Sequence, residues 1–401
     1  MFLRSLLDRN PAFVRAAVEL HQAGEIPANS YVLDLDAIEA NARVLCKRAR
    51  TLGLTVYAMT KQIGRAPGAL AAMAAGGVDG FVAVDMACAR PIVRNGHRLG
   101  HLGHLVQVAR AEAVEAAAMA PDYWTVFSAN KAAEAAAAAR ASGRSQRLML
   151  RVFDPGDTFY PGHEGGVALD DLRSALDIIA ALDGAEFAGL TTFPAMLFDE
   201  QRGSVGATRN VETLARAAEL VRRHPACPAQ LEINLPGTTS TDVLGLLAES
   251  GATQVEPGHG LTATTPLHAV RDLPEQPGVL YLSEVAHIHQ GVPLCFGGGL
   301  YVDPVFGDYE VSAVIAHDAA EISTSPVPVD MPDPAAIDYY ARLHRGSGRV
   351  VSEGATVVFG FRIQAFVTRA LVTGLSGVSR GEPRVVGVWN GFGDPGGAGS
   401  T

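Results

Sequence analysis

The chain has 401 residues, 48% of them hydrophobic and 18% charged, with a formal net charge of -10 at pH 7. That balance suits a globular protein with one large and one smaller domain. It excludes an extended nucleic-acid or anionic-membrane surface as the main partner, because such surfaces recruit clustered Lys and Arg and no basic stripe is present.

In chain order, MFLRSLLDRNPAFVRAAVEL has apolar residues at helical spacing but is interrupted by Arg4, Asp8, Arg9 and Arg15. It reads as a docking helix and not as a signal-peptide core. No apolar run reaches the roughly 18 residues that a membrane span requires. The cysteines Cys46, Cys88, Cys227 and Cys295 lack the close pairing of a zinc site or of a secreted disulfide framework. A reducing, cytoplasmic compartment is expected. A first strand and helix, YVLDLDAIEANARVL, follow, and residues 1–53 are expected to pack with the C-terminal part of the chain.

From Leu54 onward, eight short runs rich in Val, Ile, Leu and Phe alternate with Ala-rich helical stretches: LTVYAM, DGFVAV, HLVQV, YWTVF, LMLRVF, FAGLTTF, LEINL and TQVEP. This alternation predicts a closed (β/α)8 barrel of the TIM type over residues 54–270, with an open doubly wound sheet as the alternative. After about Arg271 the texture changes to Gly- and Pro-punctuated strands such as VLYLSEVAHIHQG and RVVGVWN, predicting a β-rich C-terminal domain over 271–391. The closing GFGDPGGAGST has no apolar period, so residues 392–401 are expected to be a flexible tail.

Chemistry enters through an unusual lysine. The chain contains only Lys47, Lys61 and Lys131 as lysines among 32 Lys and Arg residues. Lys61 ends the first barrel strand, where barrels of this kind carry functional groups. An amine there can lose its proton on desolvation and attack a carbonyl; a lysine snorkelling to solvent would read the same. In INLPGTTSTDV, the residues Gly237, Thr238, Thr239 and Ser240 open a helix and form a natural phosphate site, or an ordinary N-cap. In QVEPGHGLTATT, Gly258 and Gly260 let backbone approach an anion, and Glu256 faces the barrel mouth; a plain Gly-rich connection is the alternative. Together, a lysine on the first strand, phosphate loops after the last two and a carboxylate beside the latter make the layout that a pyridoxal phosphate enzyme needs.

The stretches YVLDLDAIEANARVL and VYAMTKQIGRAP resemble the opening of the alanine racemase N-terminal domain superfamily, the fold type III pyridoxal phosphate enzymes. TKQIGR, GHLVQV, FYPGHEGG and EPGHGLTATTP resemble its YhfX-like branch. The resemblance implies pyridoxal 5'-phosphate anchored on Lys61, with Gly237, Thr238, Thr239, Gly258 and His259 around its phosphate. It implies that Arg151, Tyr160 and His163 lie in the region approaching the cofactor's phenolic oxygen and the substrate, although Arg151 reads equally as an ion-pair partner inside the barrel. Alanine racemases place an arginine before this Pro-Gly, whereas here Glu256 stands there, as in decarboxylases of the fold. A carboxylate at that place keeps the ring nitrogen protonated and favours carbanion chemistry at Cα. The metal-binding relatives carry a ligand pair on a late strand where this chain has Arg362 and Gln364, so no metal is expected. His97, His101 and His104 straddle a loop and a strand, and His104, on the strand GHLVQV, is expected to contact the cofactor or cap the barrel mouth.

The leading expectation is an amino-acid racemase or epimerase, with Lys61 acting on one face of Cα and Cys295 or Tyr301 on the other. Cys295 could instead be a small buried hydrophobe. A decarboxylase or aldolase needs the same electron sink, and a noncatalytic pyridoxal phosphate carrier or a sugar-phosphate-binding barrel is a further alternative. The resemblance also implies a homodimer acting on a small amino-acid substrate.

Overall fold

The computed structural model describes residues 1–301, 310–323, 325–333, 335–344 and 350–396. Gly397–Thr401 of the expected tail lie outside these residues. The chain divides into two compact units, one made of Arg43–Thr60 and Gly77–Gly258, the other of Met1–Ala42, Lys61–Gly76 and His259–Thr401.

In the first unit, the strands Thr55–Met59, Gly80–Ala83, Leu99–Leu102, Tyr123–Val126, Gln146–Phe153, Ala185–Thr191, Glu232–Asn234 and Gln254–Val255 pair in parallel in chain order. The last pairs with the first through Gln254↔Thr55 and Val255↔Val56, which closes the ring. The expected barrel is thus the observed fold. Its strands read as continuous apolar runs because both faces are buried, as Leu148, Met149, Leu150 and Val152 illustrate. Side-chain caps start the crossover helices: the Asp85 carboxylate accepts from the Cys88 amide at 2.7 Å, and Ser128 Oγ accepts from the Lys131 amide at 3.3 Å.

The third strand differs from its expected place. HLVQV has the alternation of a strand, yet the strand is Leu99–Leu102, and Gly103 at φ 78° turns the chain out of the sheet before His104. His104 therefore belongs to the loop beyond the strand's C-terminal end.

In the second unit, Ser30–Asp34 runs antiparallel to Val279–His289 and parallel to Leu371–Ser376. The sheet continues from Val279–His289 through Thr356–Phe359, Ser312–Ala316, Val327–Asp330 and Tyr340–Leu343 to Val292–Phe296, which pairs back with Val279–His289. On the other edge, Arg384–Trp389 pairs antiparallel with Leu371–Ser376. Helix Pro11–Gln22, started by Pro11 and by an Asn10 side chain that accepts from the Phe13 amide, buries Phe13, Val14 and Val18 against Leu280, Leu282, Val314 and Val358. Burial of each such side chain contributes about 1.5–3 kcal/mol. Residues 392–396, read from the sequence as the start of a tail, fold back instead: the Asn390 amide donates to the Asp394 carbonyl and the Gly396 amide to that of Val388, both at 2.9 Å.

Gly100 is the tightest point of the third barrel strand, because a Cβ there would fall inside the Tyr57 ring. Gly100→Ala is expected to cost about 1–3 kcal/mol by overpacking, read as a lower urea midpoint by circular dichroism. An unchanged midpoint would mean that the Tyr57 ring can swing aside.

Candidate active site

The last barrel strand ends in two polar side chains two residues apart, Gln254 and Glu256, both buried. Period-two alternation puts them on the same side of the strand. The Glu256 carboxylate is held on several sides. Asn234, on the neighbouring strand, donates from Nδ2 to Glu256 Oε1 at 2.7 Å and approaches Thr191 Oγ1 at 3.3 Å. His104 Nε2 lies 3.3 Å from Glu256 Oε2, and His101 Nδ1 lies 3.6 Å from Oε1. His101 reaches Gln254 Oε1 through Nε2 at 2.7 Å and packs its ring against Tyr57 and Tyr123. Burial lowers the His101 pKa to about 4, so its imidazole is neutral at pH 7.

A second cluster gathers around Phe193. Its ring meets His104 edge-on at 5.7 Å, Tyr160 at 5.7 Å and His163 at 6.0 Å. Arg151, fully buried on the strand Gln146–Phe153, donates from Nη2 to the carbonyls of His163 at 2.6 Å and Phe193 at 3.2 Å. Its guanidinium lies 4.8 Å from the centre of the Phe127 ring. Nε and Nη1 are buried with no hydrogen-bond partner. No carboxylate among the described residues lies within ion-pair distance of Arg151, and burial lowers its pKa to about 10. The charge of Glu164 acts against that shift.

The loop after the strand Glu232–Asn234 is tied to Met196. Gly237 forms a bridge with Met196, and a Cβ there would come within 2.6 Å of the Met196 carbonyl oxygen. The Thr238 amide donates to that oxygen at 3.1 Å, and Thr239 Oγ1 to the Gly237 carbonyl at 3.3 Å. The Ser240 hydroxyl, fully buried, has no partner. The same holds for Thr60 Oγ1, at the end of the first barrel strand. Gly258 follows the last strand after Glu256 and Pro257.

In the other unit, Lys61 opens the 3-10 turn Lys61–Ile63, its Nζ 5.6 Å from the centre of the Phe366 ring. Arg65 faces the same ring at 5.5 Å and Phe392 at 5.4 Å, and donates from Nη1 to the Gly391 carbonyl at 2.7 Å. The buried His259 contacts Thr264 Oγ1 through Nδ1 at 2.9 Å and Gln364 Nε2 through Nε2 at 3.4 Å. Burial, and then the positive charges of Arg362 and Lys61, push its pKa well below the usual histidine value. Cys295 is buried in mid-strand opposite Ala341 and Val285, and burial pushes its thiol up to about 11. Tyr301 is exposed.

Within the barrel unit, then, Glu256 and His104 meet directly, and Arg151, Tyr160 and His163 gather with His104 around Phe193. Asn234, Gln254, Phe193 and, in the other unit, Phe366 were not foreseen. Asn234 and Gln254 carried one usable signal: each is a polar residue in a short apolar barrel strand, where burial demands a partner. The pyridoxal phosphate implied by the sequence fits what is present. The unpartnered Ser240 and Thr60 hydroxyls suit a phosphate oxygen, and the unpartnered Arg151 N–H groups suit an anionic oxygen. Among the described residues no His, Cys, Asp and Glu group of three or more is arranged to hold a metal ion, and no helix is long and apolar enough to cross a membrane.

The family model "Alanine racemase, N-terminal domain" matches residues 33–266, and "YhfX-like, C-terminal domain" matches residues 280–385. The chain is 39% identical over 398 residues to the uncharacterized protein YhfX of Escherichia coli strain K12, covering 99% of this chain and all of that one. The crystal structure of D-threonine aldolase from Filomicrobium marinum is similar at a TM-score of 0.66 and 16% identity, covering 92% of this chain and 96% of that one. That of alanine racemase from Corynebacterium glutamicum is similar at a TM-score of 0.60 and 18% identity, covering 83% and 90%. With a family match over more than half its length and a relative of this identity along its whole length, the chain belongs to the alanine racemase N-terminal domain family, in its YhfX-like branch.

Proposed function

We propose that this chain is a pyridoxal phosphate-dependent enzyme acting at the α-carbon of an amino acid, and within that class a racemase or epimerase. The observation that carries the reading is Glu256, a buried carboxylate held by Asn234 at the end of the last barrel strand. When bound, pyridoxal phosphate supplies an electron-withdrawing ring that acidifies the Cα–H bond. Glu256 is assigned to the ring nitrogen, where its negative charge keeps that nitrogen protonated. Lys61 is assigned to hold the cofactor covalently and to move the Cα proton on one face. Ser240, Thr239, Thr238, Gly237, Gly258 and the His259 backbone are assigned to the phosphate, with Thr60 as a further hydroxyl. Arg151 is assigned to an anionic oxygen of the cofactor or substrate, with His104, Tyr160 and His163 beside it.

Racemisation needs a second proton-transfer group on the opposite face. Cys295 suits that role poorly, because its thiol is buried and pushed up to about 11; Tyr301 is the better candidate. Should Tyr301 not act, one-sided chemistry remains, and decarboxylation or aldol cleavage is the second reading. A homodimer in the cytoplasm with a small amino-acid substrate completes the proposal.

Lys61→Ala is expected to abolish the irreversible attachment of pyridoxal phosphate on borohydride reduction while leaving the circular dichroism unchanged, since only an amine is removed beyond a strand end. An undiminished reduced label would move the anchor to another lysine. Glu256→Gln is expected to retain the cofactor but to slow Cα hydrogen–deuterium exchange per bound cofactor by ~10²-fold, the usual scale for removing one electrostatic contact to developing charge. Exchange at the parent rate would remove the role assigned to Glu256.

A further inference from the structure

Glu256 does not stand alone on its strand. Two residues earlier, Gln254 points to the same side, and His101 on the third strand spans both, with Nε2 2.7 Å from Gln254 Oε1 and Nδ1 3.6 Å from Glu256 Oε1. An amide oxygen can only accept, so the proton in the Gln254 contact belongs to His101 Nε2. A neutral imidazole has a single N–H, so Nδ1 then turns a lone pair towards Glu256.

We propose that Gln254 and His101 are positioning residues for Glu256: Gln254 fixes His101 as the neutral Nε2–H imidazole, so that no imidazolium at His101 takes up the charge that Glu256 directs at the cofactor's ring nitrogen. The inference rests on the assignment of Glu256 to that nitrogen. An imidazolium at His101 would instead donate from Nδ1 to Glu256 and satisfy the carboxylate from within the barrel.

The surroundings of His101 favour the neutral form. Its ring packs against Tyr57 at 4.8 Å and Tyr123 at 5.0 Å, two phenols whose pKa values burial raises, that of Tyr123 to about 12. Gln254 is uncharged, and Glu256 is the acidic group facing the ring. Asn234, a neutral donor, and His104, on the second oxygen, also meet the carboxylate. An amide at position 254 is thus the element that a carboxylate of the same size would reverse: Glu at 254 would draw a second proton onto His101 and set its Nδ1–H on Glu256.

The test uses the full-length protein labelled with 15N-histidine, with the His101 signals assigned by their loss in His101→Gln. Without cofactor, the parent is expected to show the neutral Nε2–H tautomer from pH 6 to 8. Gln254→Glu is expected to show imidazolium at pH 7 and to bind pyridoxal phosphate on the order of tenfold more weakly by absorbance titration, the effect of diverting one charge-assisted hydrogen bond. An Nδ1–H tautomer or an imidazolium in the parent overturns the inference, whether or not Gln254→Glu folds. So does a Gln254→Glu protein whose affinity is unchanged although His101 has become charged. A parent that binds no pyridoxal phosphate overturns the functional reading and the purpose assigned here with it; a parent that binds the cofactor with His101 charged overturns this inference alone.

Discussion

Everything in the barrel depends on the seam between its first and last strands. Gln254 and Val255 pair with Thr55 and Val56, and the Met59 amide donates to the Pro257 carbonyl at 2.9 Å. The last strand has only two paired residues, so this register is held by few bonds and by the burial of both faces. A slip of one residue would turn Glu256 from the interior to the outside. The same register brings the chain near residue 60 beside the chain near residue 257, far apart in sequence. Lys61 follows Thr60 by one peptide bond, and His259 follows Gly258 likewise.

Inside the ring, the polar groups are costly unless paired. Taking an ion out of water carries a penalty of several kcal/mol, which apolar packing cannot offset for that group. Glu256 is met by Asn234 and His104, and Asn234 in turn by Thr191, while His101 lies beside the carboxylate and is engaged by Gln254, so the cluster is hard to alter one residue at a time. Arg151 is the contrasting case. Two backbone carbonyls and two aromatic rings hold it, yet two of its nitrogens remain without partners in the barrel interior. A charge retained under those conditions is poor for stability.

The Lys61 turn is set by backbone as much as by side chains. Gly64 and Arg65 follow it with φ of 60° and 58°, and a Cβ on Gly64 would meet Val372 Cγ2 at 2.7 Å. Phe366 then lies beneath two cations, Lys61 and Arg65, while Gly391 and Phe392 hold the guanidinium from the chain's far end. Residues 392–396 are folded although their composition reads as a tail: backbone bonds to residues 388 and 390 turn them back, and Phe392 meets Arg65, a long-range contact that no local period records.

The sequence by itself determined the architecture and marked the residues that stand out at its strand ends. Alternating apolar runs and capped helices encode a barrel because each unit buries a strand and a helix face locally, and a scarce lysine, a Gly-Thr-Thr-Ser loop and Glu-Pro-Gly each stand out within a few residues. Only the tertiary structure decided which polar side chains meet. The strand at Leu99–Leu102 was obscured by the equally apolar HLVQV, and a left-handed Gly103 separates the two. That His101 bridges Gln254 and Glu256, that Asn234 donates to the carboxylate, and that Phe193 collects His104, Tyr160 and His163 follow from inter-strand register and loop closure. Those are long-range pairings, fixed when the barrel closes, and a buried hydrogen bond between residues 101 and 254 leaves no spacing in the chain from which it could be read.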